Sequence, residues 1–194
     1  MVKTKFFIAA GFILILVAGF MASEYLARQT TDRTGFEIGA PFQLQNQYRQ
    51  TVDESLFQGQ HTALFFGFTH CPDICPTTLL DITQMKDSLA DKAETLQIVF
   101  VTLDPERDTP ELLRRYLDYF GTGIIGLTGT EADVMKMASD WGIYHQKISR
   151  DDGSYTLDHT ATLFLLNPQG RLAGTISYEE SSDIAFAKLQ NFLK

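Results

Sequence analysis

Residues 63–68, Ala-Leu-Phe-Phe-Gly-Phe, form a continuous apolar run bounded by polar residues. A run so short and without alternation has to be covered on both faces, as a central strand is in a sheet flanked by helices. Residues 96–103 make a second buried strand that ends at Asp104-Pro105. Between the two, Pro76 suits a first helical position, and Leu79, Ile82, Met85 and Leu89 recur at helical spacing. Strand, helix and strand in that order imply a right-handed parallel crossover, which restricts the chain to an α/β fold.

The remaining elements extend that unit. Thr109 and Pro110 open a helix that runs to Tyr119 and closes at Gly121. Residues 124–127 read as a short strand, and 131–141 as a helix ending at Gly142. Residues 41–45 alternate apolar with polar and suggest another short strand. Residues 161–166 and 171–177 flank Asn167-Pro168-Gln169-Gly170, a turn between hairpin strands, and 182–193 form a terminal amphipathic helix. The expected fold is a mixed central sheet flanked by helices. A cysteine pair after the first core strand, at a helix start, is where a thioredoxin-like fold keeps its reactive site.

The N-terminal end suggests where such a domain works. Lys3 and Lys5 precede residues 6–22, a stretch of 17 residues without charge. As a helix this is about 25 Å long, at the short end of what crosses a bilayer. Lysines before it and none for several residues after it predict an N-inside orientation. Cleavage after Ala22 would put Phe20 where a signal peptide wants a small residue, so the segment reads as an uncleaved anchor. No Arg- and Ser-rich presequence points to a mitochondrion. We expect residues 1–5 in the cytoplasm, 6–22 as a transmembrane anchor, 23–39 as a linker and 40–194 as the folded domain. That places the domain on the periplasmic side of a bacterial inner membrane.

Export changes how the two cysteines are read. A close pair in an oxidising compartment can form a disulfide, but two cysteines are too few to staple a domain of this size. Cys71 and Cys75 stand four apart, so a helical turn would bring both sulfurs to one face. A helix N-terminus stabilises a thiolate through its partial positive charge and free N–H groups. The thiolate is the nucleophile of disulfide exchange and also a soft ligand suited to Cu(I). These residues by themselves leave redox chemistry and metal binding equally open.

A metal on two sulfurs needs a further donor, and the chain has four histidines. His61 lies at the far end of the first core strand. His70 adjoins Cys71 with a diverging side chain, and His145 sits in a strand-like segment suited to a half-buried role. His159 opens the hairpin, opposite the cysteine loop in this topology, where Asp158 or a backbone carbonyl can orient its second ring nitrogen. A histidine before a strand is more often structural than a ligand, so position alone does not select it. Met85 and Trp141 read as core residues, and Met135 and Met137, two apart on a helix, form no donor pair.

Residues 68–76, Phe-Thr-His-Cys-Pro-Asp-Ile-Cys-Pro, resemble the signature of the SCO/SenC family, thioredoxin-like proteins that help metallate cytochrome c oxidase. Residues 101–110, Val-Thr-Leu-Asp-Pro-Glu-Arg-Asp-Thr-Pro, are similar to that family's second block, and Asp158-His159-Thr160 to its third. The resemblance implies copper, as Cu(I) or Cu(II), bound by Cys71, Cys75 and His159, and a redox-active Cys71–Cys75 disulfide. It also implies delivery of copper to the binuclear site of cytochrome c oxidase subunit II, after loading by a copper donor protein. On this reading the chain is a membrane-anchored copper chaperone rather than an enzyme, with auxiliary thiol–disulfide oxidoreductase activity left open.

Asp104-Pro105 ends a strand and Thr109-Pro110-Glu111 starts a helix, so turn formation and capping explain most of the second block, with an acidic docking rim or an outer carboxylate as alternatives for Asp104 and Asp108. The competing functions on this fold are a thiol–disulfide oxidoreductase and a redox or copper sensor. Against the former, three residues separate the cysteines where thioredoxin-type motifs have two. Peroxidases of this fold place Thr three residues before the reactive cysteine, and Phe68 stands there. A purely structural disulfide leaves the His159 block unexplained. The net charge of -8, with no Lys/Arg cluster beyond the anchor, excludes nucleic acid as a partner.

Overall fold

The computed structural model describes residues 18–22, 38–121 and 123–194. In the N-terminal unit residues 18–22 are helical and exposed. The rest of the expected 6–22 anchor, and the linker as far as residue 37, lie outside the described residues. Among the described residues no helix is long and apolar enough to cross a membrane.

The second unit has nine strands and four α-helices among its described residues. The strands are β1 (Gln43–Asn46), β2 (Thr51–Asp53), β3 (His61–Gly67), β4 (Leu96–Thr102), β5 (Ile124–Thr128), β6 (His145–Ser149), β7 (Tyr155–His159), β8 (Thr162–Leu166) and β9 (Leu172–Ser177). The helices are α1 (Ile74–Asp87), α2 (Pro110–Leu117), α3 (Glu131–Asp140) and α4 (Ser182–Phe192). Seven strands form one sheet in the order β2-β1-β5-β4-β3-β8-β9, while β6 and β7 pair only with each other as a separate ribbon. β3, β4 and β5 are parallel; β1 joins β5, and β8 joins β3, antiparallel. The thioredoxin-like mixed sheet expected from the sequence is present.

Period-two alternation explains the continuous apolar runs. Ala63 and Phe65 of β3, with Ile98 and Phe100 of β4, face a layer completed by Leu79 and Ile82 of α1, Leu113 of α2 and Leu189 of α4. Leu64 and Phe66, with Val99 and Val101, face the other layer, against Val134 and Met137 of α3 and Trp141. Both faces are dry, so neither strand shows a polar side. Ile38 packs on the second layer and Gly39 N–H donates to Asp140 O (3.2 Å), so packing begins just before Ala40.

Local signals hold at most helix ends. Thr109 Oγ1 accepts from Leu112 N–H with Pro110 in the first turn, and Gly142 takes a left-handed φ of 64° just beyond α3. Two expectations need correction. Helix α1 begins at Ile74, not Pro76, because a third-position proline still lacks only an N–H that has no partner within the helix. His159 does not open the hairpin: it ends β7, and the β6–β7 ribbon was not foreseen, because four of the five residues of β6 are exposed and carry no apolar pattern.

Candidate metal centre

The centre forms where the C-terminal end of β3 meets the start of α1. Strand β3 delivers the chain to Phe68, and a turn closed by Cys71 N–H donating to Phe68 O (3.2 Å) sets the first cysteine above the sheet end. Cys75 falls in the first turn of α1 and is fully buried. Its N–H, free of any helical partner, points at Cys71 Sγ (3.4 Å). Gly67 makes room for this: a Cβ there would lie 2.8 Å from both Cys75 Sγ and the Phe100 ring. No larger residue at 67 leaves the buried sulfur in place.

His159 completes the group. Its Nε2 lies 3.5 Å from Cys75 Sγ, and its Nδ1 lies 2.9 Å from Thr160 O. A carbonyl only accepts, so Nδ1 carries the hydrogen and Nε2 presents a lone pair to the sulfurs. The backbone, rather than Asp158, therefore orients the ring. Phe65 and Phe68 meet the imidazole with ring centroids 6.3 and 5.7 Å away. The ligand atoms of Cys71, Cys75 and His159 all lie within 4.8 Å of one another.

Both cysteines are free thiols, and they differ in protonation. The hydrogen bond from the Cys75 thiol, opposed by burial and helped by the N–H groups of Cys75 and Asp73, brings the Cys71 pKa down to about 4. The Cys75 thiol is pushed up, first by donating to Cys71 and then by burial and the neighbouring negative charge. The Cys75 thiol first, and then the N–H groups at the helix start, thus favour a thiolate on Cys71, while the cysteine within the helix keeps the proton.

The other histidines stand apart. His61 packs edge-on to Phe192 at the opposite end of β3. His145 is half-buried in β6, directly across the ribbon from His159, and is not among the convergent donors. His70 is exposed and groups with Asp104 and Asp108, yet both carboxylates are buried and already engaged. Asp108 accepts from Thr69 N–H (2.9 Å), Thr69 Oγ1 (2.6 Å) and Thr102 Oγ1 (2.6 Å). Asp104 accepts from Tyr155 OH (2.8 Å) and Arg107 Nε. Neither forms an exposed rim, and Thr109 caps α2 as expected. Asp108 instead anchors the cysteine loop from beneath, a role that sequence spacing did not reveal.

Two sulfurs and one imidazole nitrogen, one sulfur already a thiolate, make a soft donor set with few ligands. The same two sulfurs are close enough for dithiol chemistry. Fold and site together define a thioredoxin-like protein with a cysteine-pair-and-histidine centre. The SCO1/SenC family model matches residues 30–194, and the chain belongs to that family. Over 137 residues it is 35% identical to a SCO2-like protein of Rickettsia prowazekii, covering 70% of this chain and 67% of that protein. Copper-bound ScoI of Bradyrhizobium japonicum superposes with a TM-score of 0.73 at 36% identity, covering 80% of this chain and 99% of that one. Apo Sco1 of Thermus thermophilus gives a TM-score of 0.70 at 39% identity, covering 79% and 91%. The match covers 67% of that Rickettsia protein's length and 40% of the length of a mitochondrial SCO1 homolog of Arabidopsis thaliana.

Proposed function

We propose that this chain is a copper chaperone that carries copper on Cys71, Cys75 and His159 and hands it to a partner during cytochrome c oxidase assembly. The observation that carries the reading is the convergence of both sulfurs and His159 Nε2, with Nδ1 committed to a backbone carbonyl. Family membership, and a relative of this fold with copper bound, support the choice of ion. Copper here is cargo. A site with only three protein donors, one of them half-buried Cys71, leaves an edge from which a recipient's ligands can replace them one at a time.

The recipient we infer is the binuclear copper site of oxidase subunit II, with a separate donor protein loading this chain. The domain acts on the periplasmic face of a bacterial inner membrane, held there by residues 6–22. Mixing the copper-loaded chain with the copper-free subunit II domain tests this. Transfer should build the recipient's binuclear chromophore and empty this chain. Recipient spectra that stay unchanged while copper remains on Cys71 and Cys75 contradict the assignment.

A second reading, a thiol–disulfide oxidoreductase, is favoured by the unequal thiols: a Cys71 thiolate beside a protonated Cys75 is the arrangement of an attacking and a resolving cysteine. Reduction of an oxidised subunit II domain by the reduced, copper-free chain, one disulfide per chain with Cys71 and Cys75 oxidised in its place and lost in Cys71→Ser, would assign that activity.

A further inference from the structure

The ribbon that carries His159 shares no strand ladder with the central sheet, so apart from the chain's continuation into β8 and the ring contacts with Phe65 and Phe68, its side-chain contacts set the position of the imidazole. Tyr155, Leu157 and His159 alternate along β7 and so share one face. Leu157 packs against both core layers but carries no directional bond. Tyr155 does. Its hydroxyl donates to Asp104 Oδ1 (2.8 Å), and Arg107 Nη1 donates to its backbone carbonyl (3.1 Å). Its ring is held between two cations, with the Arg107 guanidinium carbon 3.7 Å and Lys147 Nζ 4.0 Å from the centroid. Lys147 comes from β6 and pairs with Glu106 (2.9 Å). Both ribbon strands are therefore keyed to residues 104–107.

Those residues belong to a tight turn that also grips the other half of the centre. Asp108 N–H donates to Asp104 O (2.8 Å), and the Asp108 carboxylate holds Thr69, two residues before Cys71, by its N–H and its hydroxyl. One turn thus fixes the cysteine loop through Asp108 and the ribbon through Tyr155. We propose that Tyr155 is a positioning residue for the metal centre: it keys the ribbon to this turn and so sets His159 at bonding distance from the sulfurs. The proposal rests on the copper-site reading above.

The test is a double-mutant cycle on the reduced full-length chain in detergent, with copper affinity measured by chelator competition. Loss of an outer partner of a metal-bound histidine weakens binding about 10–100-fold, and Tyr155→Leu, which acts at one remove through the ribbon, should fall at the lower end, about 10-fold. Tyr155→Phe, which keeps the ring between its cations, should lose less. In a His159→Ala background Tyr155→Leu should cost nothing further, because its effect passes through the imidazole. The Cu(II) form of Tyr155→Leu should show weakened nitrogen coupling in its electron paramagnetic spectrum, with Cys71 alkylation unchanged. Equal losses with and without His159, or no loss at all, overturn the proposal. Should Tyr155→Leu fail to fold, Tyr155→Phe and Lys147→Ala run through the same cycle. Parent and His159→Ala chains that bind copper alike would instead sink the copper reading, and the proposal with it.

Discussion

The two halves of the centre are built in opposite ways. The cysteine half is continuous with the core: Cys75 is fully buried, Gly67 and Phe100 bound its sulfur, and Asp108 ties the loop to β4 through Thr102. The histidine half hangs on a two-stranded ribbon, most of whose β6 strand is exposed, joined to the rest by Tyr155, Leu157, the Lys147–Glu106 pair and the His159 ring on Phe65 and Phe68. The difference teaches what each ligand's place depends on. Cys75 is held by the core itself, whereas the placement of His159 depends on the contacts of a ribbon outside the central sheet.

Breaking the core side should cost most. Asp108→Ala strips one buried donor, Thr102 Oγ1, and two part-buried donors of Thr69 of their acceptor, and at about 1–3 kcal/mol for a buried donor and less for the others the loss should be about 3 kcal/mol, read as a lower urea midpoint. Gly67→Ala comes next: its Cβ meets Cys75 Sγ and Phe100 at 2.8 Å, and overpacking of this kind costs about 1–3 kcal/mol. That variant should also bind copper less tightly than the parent, because the displaced atom is one of the three convergent donors.

Titration sharpens the contrast within the cysteine half. The Cys71 pKa of about 4 is below its ordinary value of 9.0, so ionisation of Cys71 favours the folded state. That contribution is complete only above pH 9, builds as pH rises from about 4, and is lost as pH falls through about 4. The stability gap between the reduced parent and Cys71→Ser should therefore widen from pH 5 to pH 8. Iodoacetamide should label Cys71 at both pH values and spare Cys75. The ribbon's surface should matter least: Lys147→Ala removes an exposed ion pair with Glu106 and one face of the Tyr155 sandwich, and should cost about 1 kcal/mol or less in the same urea assay.

The same contrast decides what could be read in advance. Strands buried on both faces announce themselves as unbroken apolar runs, so β3 and β4 were legible, as were α2 and α3 from Thr109-Pro110 and Gly142. The ribbon was not, because an exposed strand pair has no core to impose a pattern. His159 was legible only through its motif, since no local rule distinguishes it from His70 or His145. What sets it apart is the carbonyl of Thr160 on Nδ1 and the distance from Nε2 to Cys75, both products of tertiary structure. Tyr155 reaches Asp104 across 51 positions, beyond any spacing rule. Asp108 looked like part of a helix start because Thr109-Pro110 follows it, and its burial under the cysteine loop appears only once β3 and β4 pair.

The most direct test of the account is anaerobic titration of the reduced full-length chain with Cu(I), followed by X-ray absorption at the copper edge. The account predicts one copper per chain, with two sulfurs and one nitrogen around it, the nitrogen absent in His159→Ala and binding lost in Cys71→Ser. A copper bound without nitrogen, or equally tightly by Cys71→Ser, would contradict it.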